Sequence, residues 1–430
     1  MEYIIEKYRR WWRQCVIGFM ITGTIYLLTK DIPYSPSSRL FQSYTNKLKR
    51  VEYLHTERVR IAKNYFQGYK KTWGPETNFT DSDIAVVIVT VGRDRHDSDY
   101  VIQTAAFTDI AIRMDTLFRK KIMLICNVDE HPESHIEALN LAKYIPYIQK
   151  KDSKNNMGIN SSVDTVKVRH SDKIDKRRMK ETEDYVYCLN ASLMFKPKFV
   201  LVLEDDVVPF DEMFSVLHHV MQDRLHVLND DKQSAKHFTY LRLFYLLYDQ
   251  DFISLNGVGD ALNVGCAECL VGLYELGAIV CVFTPLLYIL AIGWKTAISC
   301  VNLDRRVLRN CCLVVLVVAL FTSRNGILEV RRVSPQLYYL GHGRVSSTPA
   351  VLYPSHIIPD LVKHLQRNTD RHKDLEIYKF SVQTGRKGYQ LEPNIFNHIG
   401  IWSSLRGQRS IEEFIWHVSV FRPTWIKTTE

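Results

Sequence analysis

Glu204, Asp205 and Asp206 follow directly after the apolar run FVLVL (199–203), and a second apolar run, VVPF (207–210), follows them. Three adjacent carboxylates where a strand leaves a sheet repel one another unless a cation joins them, and oxygen ligands in that number suit a hard divalent ion. Much later, LEPNIFNHIGIWSSL (391–405) carries His398, whose imidazole would complete an oxygen-and-nitrogen site with Asp206 if the chain returns to the same edge.

Those residues need a scaffold. The apolar run of 199–203 has no helical spacing of polar residues and reads as a strand buried on both faces. IAVVIVTVG (84–92) and KIMLICNVD (121–129) read the same way, with helical patterns around 100–117 and 133–143 between the runs. Strands alternating with helices predict an α/β fold with a parallel sheet, in which ligands bind outside the carboxyl ends of the strands. Here those ends are Thr90 to Arg93, Asn127 to Asp129 and Glu204 to Asp206. Neither a dinucleotide-binding glycine fingerprint nor a P-loop is present. Residues 152–182 are polar and charged and read as a flexible loop or lid.

The 430 residues allow one large domain or two ordinary ones, and 46% hydrophobic with 24% charged residues suits a globular protein carrying membrane segments. The net charge of +9 is spread along the chain, with KIDKRRMK (173–180) as its densest stretch, so nucleic acid is not an expected partner. Three apolar segments predict membrane spans: 15–29 after a basic start, as an uncleaved signal anchor, then 270–294 and 311–322, the last twelve residues long and extended by Arg309 and Arg324. The basic loop 295–310 then lies on the cytoplasmic side and the remainder is luminal. The sequons at Asn78, Asn160 and Asn190 fall in the segment this topology makes luminal. The expected organisation is a tail (1–14), an anchor (15–29), a stem (30–79), a first part of the α/β domain (80–269), an inserted membrane hairpin (270–322) and a second part of that domain (323–430). The nine cysteines do not form a disulfide scaffold; Cys126 with Cys188 is the candidate luminal bridge, and the C-x-x-C of Cys266 and Cys269 is read as structural.

The strand ending in E-D-D, the later H-I-G-x-x-S-S-L and the two spans interrupting the domain together resemble the post-GPI-attachment GalNAc transferases of the Golgi. VVIVTVGR (86–93), CNVDEHPESHIEAL (126–139), EDYVYCLN (183–190) and EPNIFNHIG (392–400) look like family segments in family order. The resemblance implies a Rossmann-like GT-A glycosyltransferase domain, multi-pass in the Golgi membrane with its catalytic part luminal. It implies an inverting transfer of GalNAc from UDP-GalNAc to a mannose of the GPI glycan on GPI-anchored proteins, with Mn²⁺ as cofactor. On that basis Asp206 and His398, with Glu204, are the metal ligands. Thr90, Gly92, Arg93, Asp129, Glu204 and Asp205 bind the donor, and Asp374 is the general base, with Glu376 and Asp370 behind it. Asp374 also reads as a helix N-cap. The N-acetylglucosaminyltransferase IV enzymes that branch N-glycans share the pattern without the inserted hairpin. A non-catalytic membrane protein binding GPI-anchored clients, or a transporter suggested by Glu275, are the readings outside that class.

Overall fold

The continuous apolar runs become strands because side chains on both faces of a central sheet are buried. The computed structural model describes residues 23–24, 27, 44–68, 81–93, 99–150, 172–228, 238–245, 267–292, 305–343, 348–400, 402–403 and 407–408. The chain divides into two compact units: a helical one of Met1–Leu48, Leu246–Arg331 and Val418–Arg422, and an α/β one of Lys49–Tyr245, Arg332–His417 and Pro423–Glu430. In chain order the elements begin with α1 (Tyr44–Gln67), β1 (Ile84–Thr90), α2 (Tyr100–Met114), β2 (Lys121–Asn127), α3 (Ile136–Leu141) and β3 (Tyr147–Gln149). They continue with α4 (Asp172–Ser192), β4 (Phe199–Glu204), β5 (Val207–Pro209), α5 (Met213–His219) and β6 (Phe238–Arg242). The helical unit then contributes α6 (Ala267–Ile292) and α7 (Arg305–Leu328). The α/β unit resumes with β7 (Tyr339–His342), β8 (Ala350–Pro354), α8 (Ile358–Arg367), α9 (Lys373–Gln383), β9 (Lys387–Glu392) and β10 (Phe396–His398).

Eight strands form one mixed sheet in the order β3-β2-β1-β4-β8-β6-β9-β7. Strands β1 to β4 are parallel, in the register Thr90 to Asn127 and Val89 to Glu204, so their carboxyl ends meet at one edge. β8 lies antiparallel between β4 and β6, which makes β6, and β9 beside it, run in the direction of β4. One face is covered by a core that joins Val87, Leu124, Val200, Val202 and Val351 of the sheet to Tyr185, Leu189, Leu361, Ile377 and Phe380 of α4, α8 and α9. Cys126 on β2 and Cys188 on α4 form a disulfide within it, with Cα atoms 5.9 Å apart. On the other face α1 packs Ile61 against Tyr100, Phe107, Val208 and Ile399, so the segment expected as a stem carries a helix that belongs to this core. α4 begins at Asp172, so the later part of the expected lid at 152–182 is helical; its charged residues pair along the helix, as Lys180 does with Asp184.

The helical unit corrects the expected membrane organisation. Helices form over both expected inner spans, and they pack through Thr284 and Tyr288 of α6 and through Cys311, Val315 and Ala319 of α7, each four residues apart. Among the described residues, however, no helix is long and apolar enough to cross a membrane. A span needs about 20 predominantly apolar residues. α7 brackets its twelve-residue apolar stretch with Arg305, Arg306, Arg309 and Arg324, and α6 carries Glu268, Glu275 and an internal Pro285. This overturns the membrane hairpin at 270–322 and, with it, the multi-pass placement in the Golgi membrane. The anchor expected at 15–29 falls almost wholly outside the described residues, as do the sequons at Asn78 and Asn160. Asn190 is exposed on α4.

Candidate active site

The acidic triplet ends β4 at the centre of the sheet edge, and a short ladder brings His398 to it. β5, immediately after the triplet, pairs antiparallel with β10 so that His398 faces Val207, and Ile399 N donates to the Asp206 carbonyl at 2.8 Å. Asn394 prepares this return. Its side chain accepts from Tyr245 N (3.0 Å) and donates to Tyr245 O (2.9 Å), acting as one more rung between the two chain segments. His398 Nε2 lies 3.3 Å from Asp206 Oδ1, and ligand atoms of Glu204, Asp206 and His398 all lie within 4.8 Å of one another. His398 is 3% and Asp206 4% exposed. Two carboxylates and one imidazole converging in this way fit a divalent ion. Gly400 adds to the fit, because a Cβ there would collide with the Asp206 carboxylate.

Cations of the protein also stand beside these acids. Arg93 donates to Asp205 Oδ1 at 2.5 Å and to Asp206 Oδ2 at 3.2 Å, and its guanidinium stacks on Tyr100 at 4.6 Å. Burial alone would lower the Arg93 pKa, but Asp205 and Asp206 outweigh it and hold it raised. Asp205 also accepts from Thr90 Oγ1 (2.8 Å), while its carbonyl accepts from Thr104 (2.7 Å). Burial pushes the Asp205 carboxyl up against the pull of Arg93, and Asp206 adds to the rise. His135, 2.8 Å from Thr90 Oγ1, closes the chain. Burial lowers its pKa, and since the Thr90 hydroxyl proton goes to Asp205, the His135 ring donates from Nε2.

Glu204 is set differently. Lys373 is 3.4 Å from its Oε1 and also pairs with Glu181. Burial pushes Glu204 up to about 7 against the pull of Lys373, with Asp206, Glu181 and Asp374 pushing the same way as burial. Its side chain keeps 31% of its surface in the open, so solvent or a bound ion reaches it. The expected donor residues Gly92 and Asp129 bracket the ends of β1 and β2: Gly92 N donates to Asp129 Oδ2 (2.6 Å), and His131 N donates to Oδ1 (2.8 Å).

Asp374 sits in the first turn of α9, where the helix dipole favours a carboxylate. It is not the N-cap, since His372 precedes the helix in extended conformation. Thr348 Oγ1 donates to Asp374 Oδ1 at 2.7 Å, and Arg242 Nη2 lies 3.4 Å from its carbonyl. Of the two alternatives, Glu376 is engaged by His364 (3.1 Å) and Lys379 (2.8 Å), and Asp370 is exposed. Thr104, His135, Arg242, Lys373 and Asn394 were not among the expected site residues.

A mixed α/β sheet with a carboxylate and imidazole cluster at its strand ends is consistent with a GT-A-like fold, the fold of one class of sugar-transferring enzymes. Within that class, the family model described as GPI-N-acetylgalactosamine transferase PGAP4 matches residues 84–397. The chain belongs to that glycosyltransferase family, which bears out the first resemblance in the sequence and not the branching enzymes.

Proposed function

We propose that the protein transfers GalNAc from UDP-GalNAc, with inversion, to a mannose of the GPI glycan on GPI-anchored proteins. Family membership supports GalNAc and the GPI acceptor, and the convergence of Glu204, Asp206 and His398 within 4.8 Å supports a metal-assisted nucleotide-sugar donor. These three would hold a divalent ion such as Mn²⁺, which when bound supplies Lewis-acid stabilisation of the departing diphosphate. Thr90, Gly92, Arg93, Asp129 and Asp205 form the donor side, where Arg93 sets a fixed positive charge and the Gly92–Asp129 bracket fixes the loop ends. Asp374 takes the proton from the acceptor hydroxyl as that oxygen bonds to the anomeric carbon. Attack opposite the carbon–diphosphate bond breaks it and inverts the centre.

Asp206→Ala and His398→Ala are each expected to abolish both transfer and metal-stimulated UDP-GalNAc hydrolysis. Both side chains are buried, Asp206 beside Arg93 and His398 against the Phe244 ring, so the thermal midpoint of each variant is measured alongside to separate lost chemistry from lost folding. Near-normal turnover of both variants with Mn²⁺ supplied would make the cluster structural.

A further inference from the structure

Arg242 is the last residue of β6 and is fully buried at 0% exposure. Its Nη2 meets the Asp374 carbonyl at 3.4 Å and its guanidinium lies 4.9 Å from the Tyr240 ring, yet Nε and Nη1 have no hydrogen-bond partner. No carboxylate of a described residue forms an ion pair with it. The side-chain oxygen of Gln390, its neighbour across β9, is likewise buried without a partner. A desolvated cation with two idle nitrogens is costly to keep, and the chemistry that offsets this cost is an oxyanion.

The position of Arg242 selects which oxyanion. β6 runs in the direction of β4, and Arg242 is level with Val351 and, through it, with Val202, two residues short of Glu204. It therefore stands at the same sheet edge as the acidic cluster but beyond β8. The donor residues are on β1, β2 and β4, whereas Arg242 touches the segment that carries Asp374, the group assigned to the acceptor hydroxyl. We propose that Arg242 is an anion-recognition residue that seats a phosphodiester oxygen of the acceptor glycan; this rests on the function proposed above. A glycosylphosphatidylinositol carries its mannoses between phosphodiesters, so a phosphate accompanies the sugar to be modified. The glycan must part the cover over Arg242 on entry, so phosphate recognition and acceptor seating become one event. Through its contact with the Asp374 carbonyl, that event is communicated to the start of α9.

The test compares two acceptors with the full-length protein: a mannose glycan bearing phosphoethanolamine, and the same glycan after its phosphodiester is removed. The wild type is expected to favour the phosphorylated acceptor in kcat/KM by about tenfold or more, the size of one or two charge-assisted hydrogen bonds. Arg242→Gln is expected to bring that ratio to about one, and Arg242→Lys to restore part of it. The ratio is insensitive to a general loss of folded enzyme. Equal use of both acceptors by the wild type would overturn the proposal, even if Arg242→Gln does not fold. A raised KM for UDP-GalNAc in Arg242→Gln, with the acceptor ratio kept, would overturn it in favour of the donor diphosphate. Transfer to neither acceptor from any UDP-sugar would instead refute the function on which the proposal rests.

Discussion

Gly400 lies two residues after His398, and its hydrogen in place of a methyl lets the chain pass against the Asp206 carboxylate. Gly400→Ala is expected to push Asp206 out of line by about an ångström and to lower transfer about 10²-fold, the cost such a displacement carries at a reacting centre. Transfer and Mn²⁺ affinity measured together check this; an unchanged metal affinity would remove Gly400 from the site. Asp374→Asn keeps the oxygen that Thr348 bonds while removing the proton acceptor. It is expected to cut kcat by about 10²–10⁴ with little change in the KM for the donor, and a proportional rise in donor KM would count against the base assignment. The acidic triplet was legible because three adjacent carboxylates at the end of an apolar strand repel one another and so call for a cation beside them. Arg242, Thr104 and Asn394 were not, because each takes its meaning from a partner far along the chain.

At the scale of elements, strands β1, β2 and β4 are within two residues of their sequence limits, since runs buried on both faces leave little ambiguity. Charge-rich α4 was read as a loop over its first turns, because its pairing along the helix does not appear as apolar periodicity. The second inner span was expected on the ground that Arg309 and Arg324 extend its twelve apolar residues, whereas in α7 those arginines bound the apolar stretch, which stays short of a span. α1 permits a test of its own. Its His55 packs edge-on to Tyr100 of α2, with ring centroids 5.6 Å apart, and burial, with Arg58 adding, lowers its pKa from 6.5 to about 4. The folded state therefore resists a proton that the unfolded chain takes up below 6.5. Stability falls as pH drops through that window, with the full loss reached below about 4. His55→Gln is expected to flatten the dependence of the thermal midpoint on pH between 6.5 and 4, and parallel curves for the two proteins would show that the residue is not the one titrating.

At the scale of the whole molecule, the position of β8 has a consequence for synthesis. Its neighbours β4 and β6 are both made before the helices α6 and α7 of the helical unit, and β8 itself only after them. While the helical unit is being translated, β4 has β1 on one side and an open row of backbone donors and acceptors on the other, flanked by Val200, Leu201 and Val202. At roughly 5–20 residues per second that exposure lasts on the order of ten seconds. A nascent chain stopped at residue 331 is expected to remain protease-sensitive and bound to chaperones, and one that includes β8 to β10 to become resistant within the time of their synthesis. Early protease resistance of the stopped chain would mean that another segment shields β4 in the interval. His398 is also made after this gap, so a ribosome that falls off within the helical unit releases a polypeptide with the acids but without the imidazole, and with a sticky edge by which quality control can recognise it.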